Sequence, residues 1–282
     1  MAQTIIDLLN NGITANKSDK FRSGNLISLP SEGSLVISGD IHGHRRNFEK
    51  IITFSDLQNN PDRHLILQEI IHGGPRDDKG NCLSYRLLFE AVRYQLQFPN
   101  RVHFLMGNHD TAFITGCEVM KDGEEMNRSM CSALRREFPE EGTNIELAMC
   151  EFVLSQPLAA RCCNRIWLSH SLPSAYTADK FDLAVIEKEL QIKDLVKPGS
   201  AYLLTWGRRH SKKLLDKMAE LLDAEIFILG HQPQPNGWSH PQENLIILAS
   251  DHNHGCLMHI DLAKSYTVEK LIETIVPLAA IA

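Results

Sequence analysis

Leu35-Val36-Ile37-Ser38-Gly39-Asp40-Ile41-His42-Gly43-His44 is the stretch whose reading decides the fold. Three consecutive apolar residues read as a short strand buried on both faces, the kind that lies inside a sheet covered by helices. The run then turns abruptly polar. A glycine beside Asp40 lets the backbone approach a neighbour closely. Asp40 and His42, two residues apart on a turn at the strand's end, can converge on one cation.

Outward from this stretch the pattern repeats. Leu65-Ile66-Leu67 precedes Gln68-Glu69-Ile70-Ile71-His72, and the strand Val102 to Leu105 precedes Gly107-Asn108-His109-Asp110. Ile166-Trp167-Leu168 runs into Ser169-His170-Ser171, and Ile226 to Leu229 into Gly230-His231-Gln232-Pro233. Helical apolar spacing predicts helices over Arg45 to Phe54, Leu83 to Leu96 and Lys212 to Leu222. Residues 2–10 read as a short helix stopped by Asn11-Gly12. Asn244 to Leu248, Cys256 to Ile260 and Tyr266 to Leu271 read as a closing set of antiparallel strands. Strands alternating with helices define an α/β fold, and polar clusters behind successive strands put one site along the carboxyl edge of the sheet.

Composition bounds the rest. A chain of 282 residues with 43% apolar content can fill the core of one large α/β domain. We expect residues 1–282 to form a single domain with a mainly helical insertion at about 111–160. A net charge of -6 gives no global basic field, so nucleic acid is not an expected partner. The seven cysteines are odd in number and lack zinc-ribbon spacing, which points to a reduced, cytoplasmic chain. The start, MAQTIIDLLNNG, has neither the basic region nor the long apolar run of a secretory signal. The apolar end, IVPLAAIA, is far shorter than the roughly 18 residues of a membrane span, and Pro277 interrupts it; no membrane partner is expected.

The five polar clusters together supply carboxylate, imidazole and amide oxygen. That mixture suits Mn²⁺, Fe²⁺ or Zn²⁺ better than Mg²⁺ or Ca²⁺, which prefer oxygen alone.

With Asp40-Ile41-His42, Gly107-Asn108-His109-Asp110, Ser169-His170 and Gly230-His231-Gln232 in this order, the chain resembles the calcineurin-like metallophosphoesterases. The nearer likeness is to their phosphoprotein-phosphatase branch, which includes serine/threonine phosphatases and symmetrical diadenosine-tetraphosphate hydrolases. It runs from about Leu35 to about Ile260. It implies a β-sandwich of two mixed sheets flanked by helices, and two divalent ions, with Mn²⁺ expected and Fe or Zn as alternatives. Asp40, His42 and Glu69 would hold the first ion. Glu69, Asn108, His170 and His231 would hold the second, with Glu69 shared. Two such ions, about 3.5–4 Å apart, activate water for in-line attack on phosphorus. His109 would act as general acid toward the leaving oxygen.

Two elements depart from the family pattern: Ser171-Leu172-Pro173 stands where many members have a Gly-Gly pair, and the second element is more heavily changed. Gln68-Glu69-Ile70-Ile71-His72-Gly73-Gly74 stands where the family has Gly-Asp-x-x-Asp-Arg-Gly. Glu69 replaces the bridging Asp, His72 the Asp that orients the catalytic His, and Gly73 a phosphate-binding Arg. Asp110, Asp77 or Asp78 could then orient His109 in place of His72. Arg76, Arg208 and Arg209 are candidates for the missing phosphate-binding cation, and His252 or His254 for a substrate contact from the loop Ala249 to Gly255. The expected reaction is hydrolysis of a phosphomonoester, on a phosphoprotein or a small molecule. The alternatives are phosphoanhydride hydrolysis of a dinucleoside polyphosphate and, on the strength of the altered element, a non-catalytic metal- or phosphate-binding scaffold.

Overall fold

The computed structural model describes residues 2–121 and 123–282. Two mixed sheets lie face to face. In the five-stranded sheet, Ser34–Asp40, Arg63–Gln68 and Val102–Leu105 run parallel, while Cys256–Asp261 pairs antiparallel with Ser34–Asp40 and with the edge strand Ile275–Pro277. The seven-stranded sheet has the order Arg22–Ser23, Leu26–Ser28, Ala159–Arg161, Ile166–Ser169, Ile226–Leu229, Leu245–Leu248 and Trp238–Gln242. Its centre is parallel: Ile226–Leu229 lies between Ile166–Ser169 and Leu245–Leu248.

The alternation of side chains along each strand sorts the core into layers. Leu35 and Ile37 point between the sheets with Ile66, Leu105, Leu168, Ile228, Ile246 and Met258. Val36, Leu65, Leu67 and Phe104 point outward, under the helices Ala2–Lys17, Ser84–Gln97 and Gly142–Leu154. On the far side Trp167, Phe227 and Leu229 are covered by the helices Ser200–Trp206 and Lys212–Leu222. Both sheets are thus buried on both faces, which is why their strands read as unbroken apolar runs. This is the expected α/β sandwich of two mixed sheets flanked by helices.

Three expectations need correction. The first helix does not stop at Asn11-Gly12 but runs over Ala2–Lys17. Gly12 lies inside it because the helix packs closely there: a β-carbon would stand 2.7 Å from the Phe152 ring and 2.8 Å from Val92. Tyr266 to Leu271 is not a strand. Thr267 caps a short helix, Val268–Ile272, by accepting from the Lys270 N–H, and the closing strand comes later at Ile275–Pro277. Leu245–Leu248 is parallel to Ile226–Leu229 rather than part of an antiparallel set, and its antiparallel neighbour is Trp238–Gln242. Residues 111–160 hold helices Met126–Glu137 and Gly142–Leu154, the end of helix Asn108–Thr115, and a small hairpin of Met120–Lys121 and Glu124–Glu125.

Candidate metal centre

Both sheets deliver polar residues to one place. Asp40 ends Ser34–Asp40, Glu69 follows Arg63–Gln68, and Asn108 opens the helix behind Val102–Leu105. His170 follows Ile166–Ser169 and His231 follows Ile226–Leu229. Four of the turn residues, His42, Glu69, His72 and His231, have φ between +44° and +68°. Such left-handed backbone is unfavourable for residues with a side chain and clusters at functional sites. It bends each side chain back over the carboxyl edge of its strand.

Glu69 stands at the middle and is essentially fully buried. Its Oε2 lies 3.6 Å from His42 Nε2 and 4.0 Å from His109 Nε2, and its Oε1 lies 3.7 Å from His170 Nε2. Oε1 also accepts from the His109 backbone N–H at 2.8 Å, while Oε2 has no hydrogen-bond donor. His170 Nδ1 stands 3.5 Å from Asp40 Oδ1. Asn108 Oδ1 lies between two rings, 2.9 Å from His170 Nε2 and 2.7 Å from His231 Nδ1. The geometry groups His42, Glu69 and His109 on one side, and Asp40, Glu69 and His170 on the other. Asp40 therefore sits with His170, whereas the expected division placed it with His42. Glu69 is common to both groups.

The longer side chain of Glu69, where the family pattern has Asp, is accommodated by Gly107. A β-carbon at position 107 would fall 1.9 Å from Glu69 Oε1. Asp40 is fixed in turn by the His231 backbone N–H, which reaches its two carboxylate oxygens at 3.1 and 3.0 Å.

Burial governs the protonation of these groups. It holds His42 and His170 well below the usual imidazole value, His109 down to about 2 and His231 down to about 3. For His231 the adjacent Arg208 adds to the effect. All four are neutral imidazoles, and His42 through Nε2 and His170 through Nδ1 keep a lone pair free for a cation. Burial also raises Asp40 to about 7 and Glu69 well above the usual carboxylate range, with Asp40 itself adding to the rise in Glu69. Two carboxylates forced together in a buried site, one oxygen lacking any donor, form a locus that a divalent cation would satisfy.

The expectation that a carboxylate orients His109 needs correction. Asp110 turns back to accept from the Gly107 N–H at 2.8 Å, at the start of its own helix. Asp77 accepts from the N–H groups of Lys79 and Asn81 and pairs with Arg136, as does Asp78. The partner of His109 Nδ1 is His72 Nδ1, at 3.1 Å. His72 is fully buried, and its Nε2 has no partner. A bare lone pair there costs less than an unpaired N–H, so the His72 proton belongs on Nδ1, donating to His109. That leaves the His109 proton on Nε2, which faces Glu69. Replacing His72 by Ala is expected to lower kcat by about 10–100-fold, the usual cost of losing an orienting partner, with bound metal unchanged. An unchanged kcat would show that His72 does not hold the ring.

The substrate-side expectations divide. Arg208 Nε donates to His231 Nε2 at 3.0 Å and so lies at the centre's edge. Arg209, next in sequence but with φ +60°, is exposed and lines a different hollow with His210, Gln232 and Pro241. His252 engages both ring nitrogens within its surroundings, Nε2 with the Gln234 carbonyl and Nδ1 with the His254 N–H, which leaves it no free polar atom for substrate. Arg76 donates to the Gly80 carbonyl at 2.6 Å and pairs with Glu124. It lines a cavity of about 380 Å³ with His42, Gly73, Gly74, Lys121, Met126 and Asp251. Sequence reasoning missed Lys121 and Asp251, because no local pattern ties the hairpin to a strand end 80 residues earlier.

The α/β sandwich gathers neutral imidazoles and buried carboxylates at its strand ends into groups that could hold a metal ion. The calcineurin-like phosphoesterase model matches residues 33–261, and the chain belongs to that family. It is accordingly a phosphoester hydrolase of the metallophosphoesterase class. No curated protein matches the sequence. Among solved structures, a Saccharomyces cerevisiae protein serine/threonine phosphatase is similar with a TM-score of 0.71 at 11% identity, over 99% of this chain and 93% of that one. A cold-active protein-tyrosine phosphatase of a psychrophilic Shewanella gives a TM-score of 0.57 at 14% identity, over 84% of this chain and 77% of that one. At these identities the likeness speaks to the fold. No helix among the described residues is long and apolar enough to cross a membrane.

Proposed function

We propose that the chain hydrolyses a phosphomonoester, on a phosphoprotein or a small molecule, at a centre of two divalent ions, with Mn²⁺ the expected ion. The observation that carries this reading is Glu69: one buried carboxylate facing His42 and His109 through Oε2 and His170 through Oε1, with Oε2 lacking a donor. Asp40, His42, Glu69, Asn108, His170 and His231 would hold the ions. Bound there, the ions would neutralise phosphate charge and make water a nucleophile near neutral pH. The chain's own groups do the rest. The Asp40 carboxylate, held by the His231 N–H, and the Asn108 amide oxygen fix the ligand rings. The Nε2–H of neutral His109 would donate a hydrogen bond to the leaving oxygen and stabilise charge there, and His72 keeps the ring from turning. The dinucleoside polyphosphate reading calls on Arg208, Arg209 and Lys212 as extra cations. Their placement does not favour it: Arg208 is on His231, Arg209 faces another hollow, and Lys212 pairs with Glu243 on the surface.

We further read residues 1–282 as one domain working in the cytoplasm, a setting in keeping with seven cysteines that form no disulfide. The test is elemental analysis of the purified protein joined to turnover of para-nitrophenyl phosphate and diadenosine tetraphosphate across Mn²⁺, Zn²⁺, Fe²⁺ and Mg²⁺. About two ions per chain with monoester turnover is expected. Metal uptake below one ion per chain, or turnover of the anhydride alone, would sink the reading.

A further inference from the structure

The cavity beside His42 is asymmetric in a way that identifies a substrate-binding group. One wall, Gly73-Gly74, is bare backbone. It cannot be otherwise: a β-carbon on Gly73 would fall 2.4 Å from the His42 carbonyl oxygen, at φ +151°. Within this cavity the charged lining residues are Lys121, Arg76 and Asp251. Arg76 is occupied by the Gly80 carbonyl and Glu124. Lys121 is placed differently. The hairpin of Met120–Lys121 and Glu124–Glu125 carries it to the cavity, and its Nζ stands 3.4 Å from Asp251 Oδ2. That pair is partly open to solvent on both sides, so it is weak and exchangeable. An ammonium on a flexible four-carbon stem can leave a surface carboxylate for an incoming dianion without moving the backbone.

We propose that Lys121 is the cation that binds the substrate's phosphoryl oxygens, held at the cavity rim by Asp251 until the phosphate arrives. This rests on the phosphoesterase reading above. The hairpin that carries Lys121 is thereby part of the working site, although it lies in the mainly helical segment away from the strand ends. Two consequences separate this role from a structural one. Removing the charge weakens phosphate binding while leaving the ions in place. Removing Asp251 has the opposite sign, because it frees the ammonium.

The experiment titrates Mn²⁺-loaded protein with inorganic phosphate by calorimetry and measures KM and kcat for para-nitrophenyl phosphate, with metal content determined on each sample. Lys121→Ala is expected to weaken phosphate binding and raise KM by about 10-fold or more, with metal per chain unchanged. Lys121→Arg should restore much of the loss, and Asp251→Asn should tighten phosphate binding. Active wild-type protein with Lys121→Ala within about twofold in both measures overturns the assignment of Lys121 alone. A looser or unchanged phosphate affinity in Asp251→Asn overturns the holding role of Asp251. Wild-type protein that takes up metal yet neither binds nor hydrolyses phosphate overturns the phosphoesterase reading and Lys121 with it.

Discussion

Glu69→Ala is expected to remove metal-dependent turnover almost entirely, by more than about 100-fold, and to leave less than two ions per chain. The reason is positional. Glu69 faces His42 and His109 with one oxygen and His170 with the other, so it is the carboxylate common to both groups. A residue that merely supports a ligand costs about 10–100-fold when lost, and a shared ligand should exceed that. Glu69→Asp tests the geometry rather than the charge. It restores the residue of the family pattern but withdraws the carboxylate by one methylene from the space that Gly107 leaves for it. Displacement on that scale costs about 100-fold in rate, so this chain should work worse, not better, with Asp. Stability should move the other way. Without metal, Glu69 is a buried carboxylate with an oxygen lacking any donor, so Glu69→Gln should raise the Tm of chelated protein while abolishing activity. Activity of Glu69→Ala near wild type would remove Glu69 from the centre.

In chelated protein the buried Asp40 and Glu69 carboxyls are expected to oppose folding more as pH rises from about 4 to about 7, while the buried neutral imidazoles of His42, His109, His170 and His231 favour folding more over the same range, so the informative quantity is the change that Mn²⁺ makes at each pH. Burial raises the Asp40 carboxyl from 3.8 to about 7 and also raises Glu69. Between those two pH values the folded carboxyls bind more protons than the unfolded ones, so their contribution to the free energy of unfolding falls with pH. Below about 4 both states are protonated and the penalty is absent; above about 7 it is fully present. For Asp40 alone the change amounts to a few kcal/mol. Divalent ions bind the ionised form, so uptake releases protons and tightens as pH rises through the same range. The Tm gained on adding Mn²⁺ should therefore be small at pH 5 and large at pH 8. A gain independent of pH would show that the buried carboxylates do not meet the ion.

How far the sequence foretold this site depends on where each residue draws its position. Asp40, His42, Asn108, His170 and His231 were legible because an apolar run sets the strand and the next polar residues must turn over its end. The fate of Asp110 was also written locally, three residues past Gly107, where an acid accepts from the first backbone N–H of a helix. The same holds for Thr267, a capping residue ahead of Val268–Ile272. Other features have no local signature. Arg208 and Arg209 are neighbours in sequence, yet the left-handed backbone at Arg209 sends them to different surfaces. Gly12 is a turn residue by composition, and the close approach of Phe152 makes it a packing residue. Lys121 meets Asp251 across 130 positions, a contact that only the tertiary fold creates.

The convergence of both sheets on one centre has a consequence for assembly. Asp40, Glu69 and Asn108 come from one sheet, and His170 and His231 from the other. Neither half of the sandwich can complete the constellation alone, and a slip of either sheet by one residue would turn its contribution to the opposite face. Under the proposed function, metal capture would be a late event that certifies correct mating of the halves, and the bound ions would then act as a rivet through the sandwich. A chain caught with its sheets apart should remain both empty and vulnerable to proteolysis, so retained metal offers a direct count of properly assembled molecules.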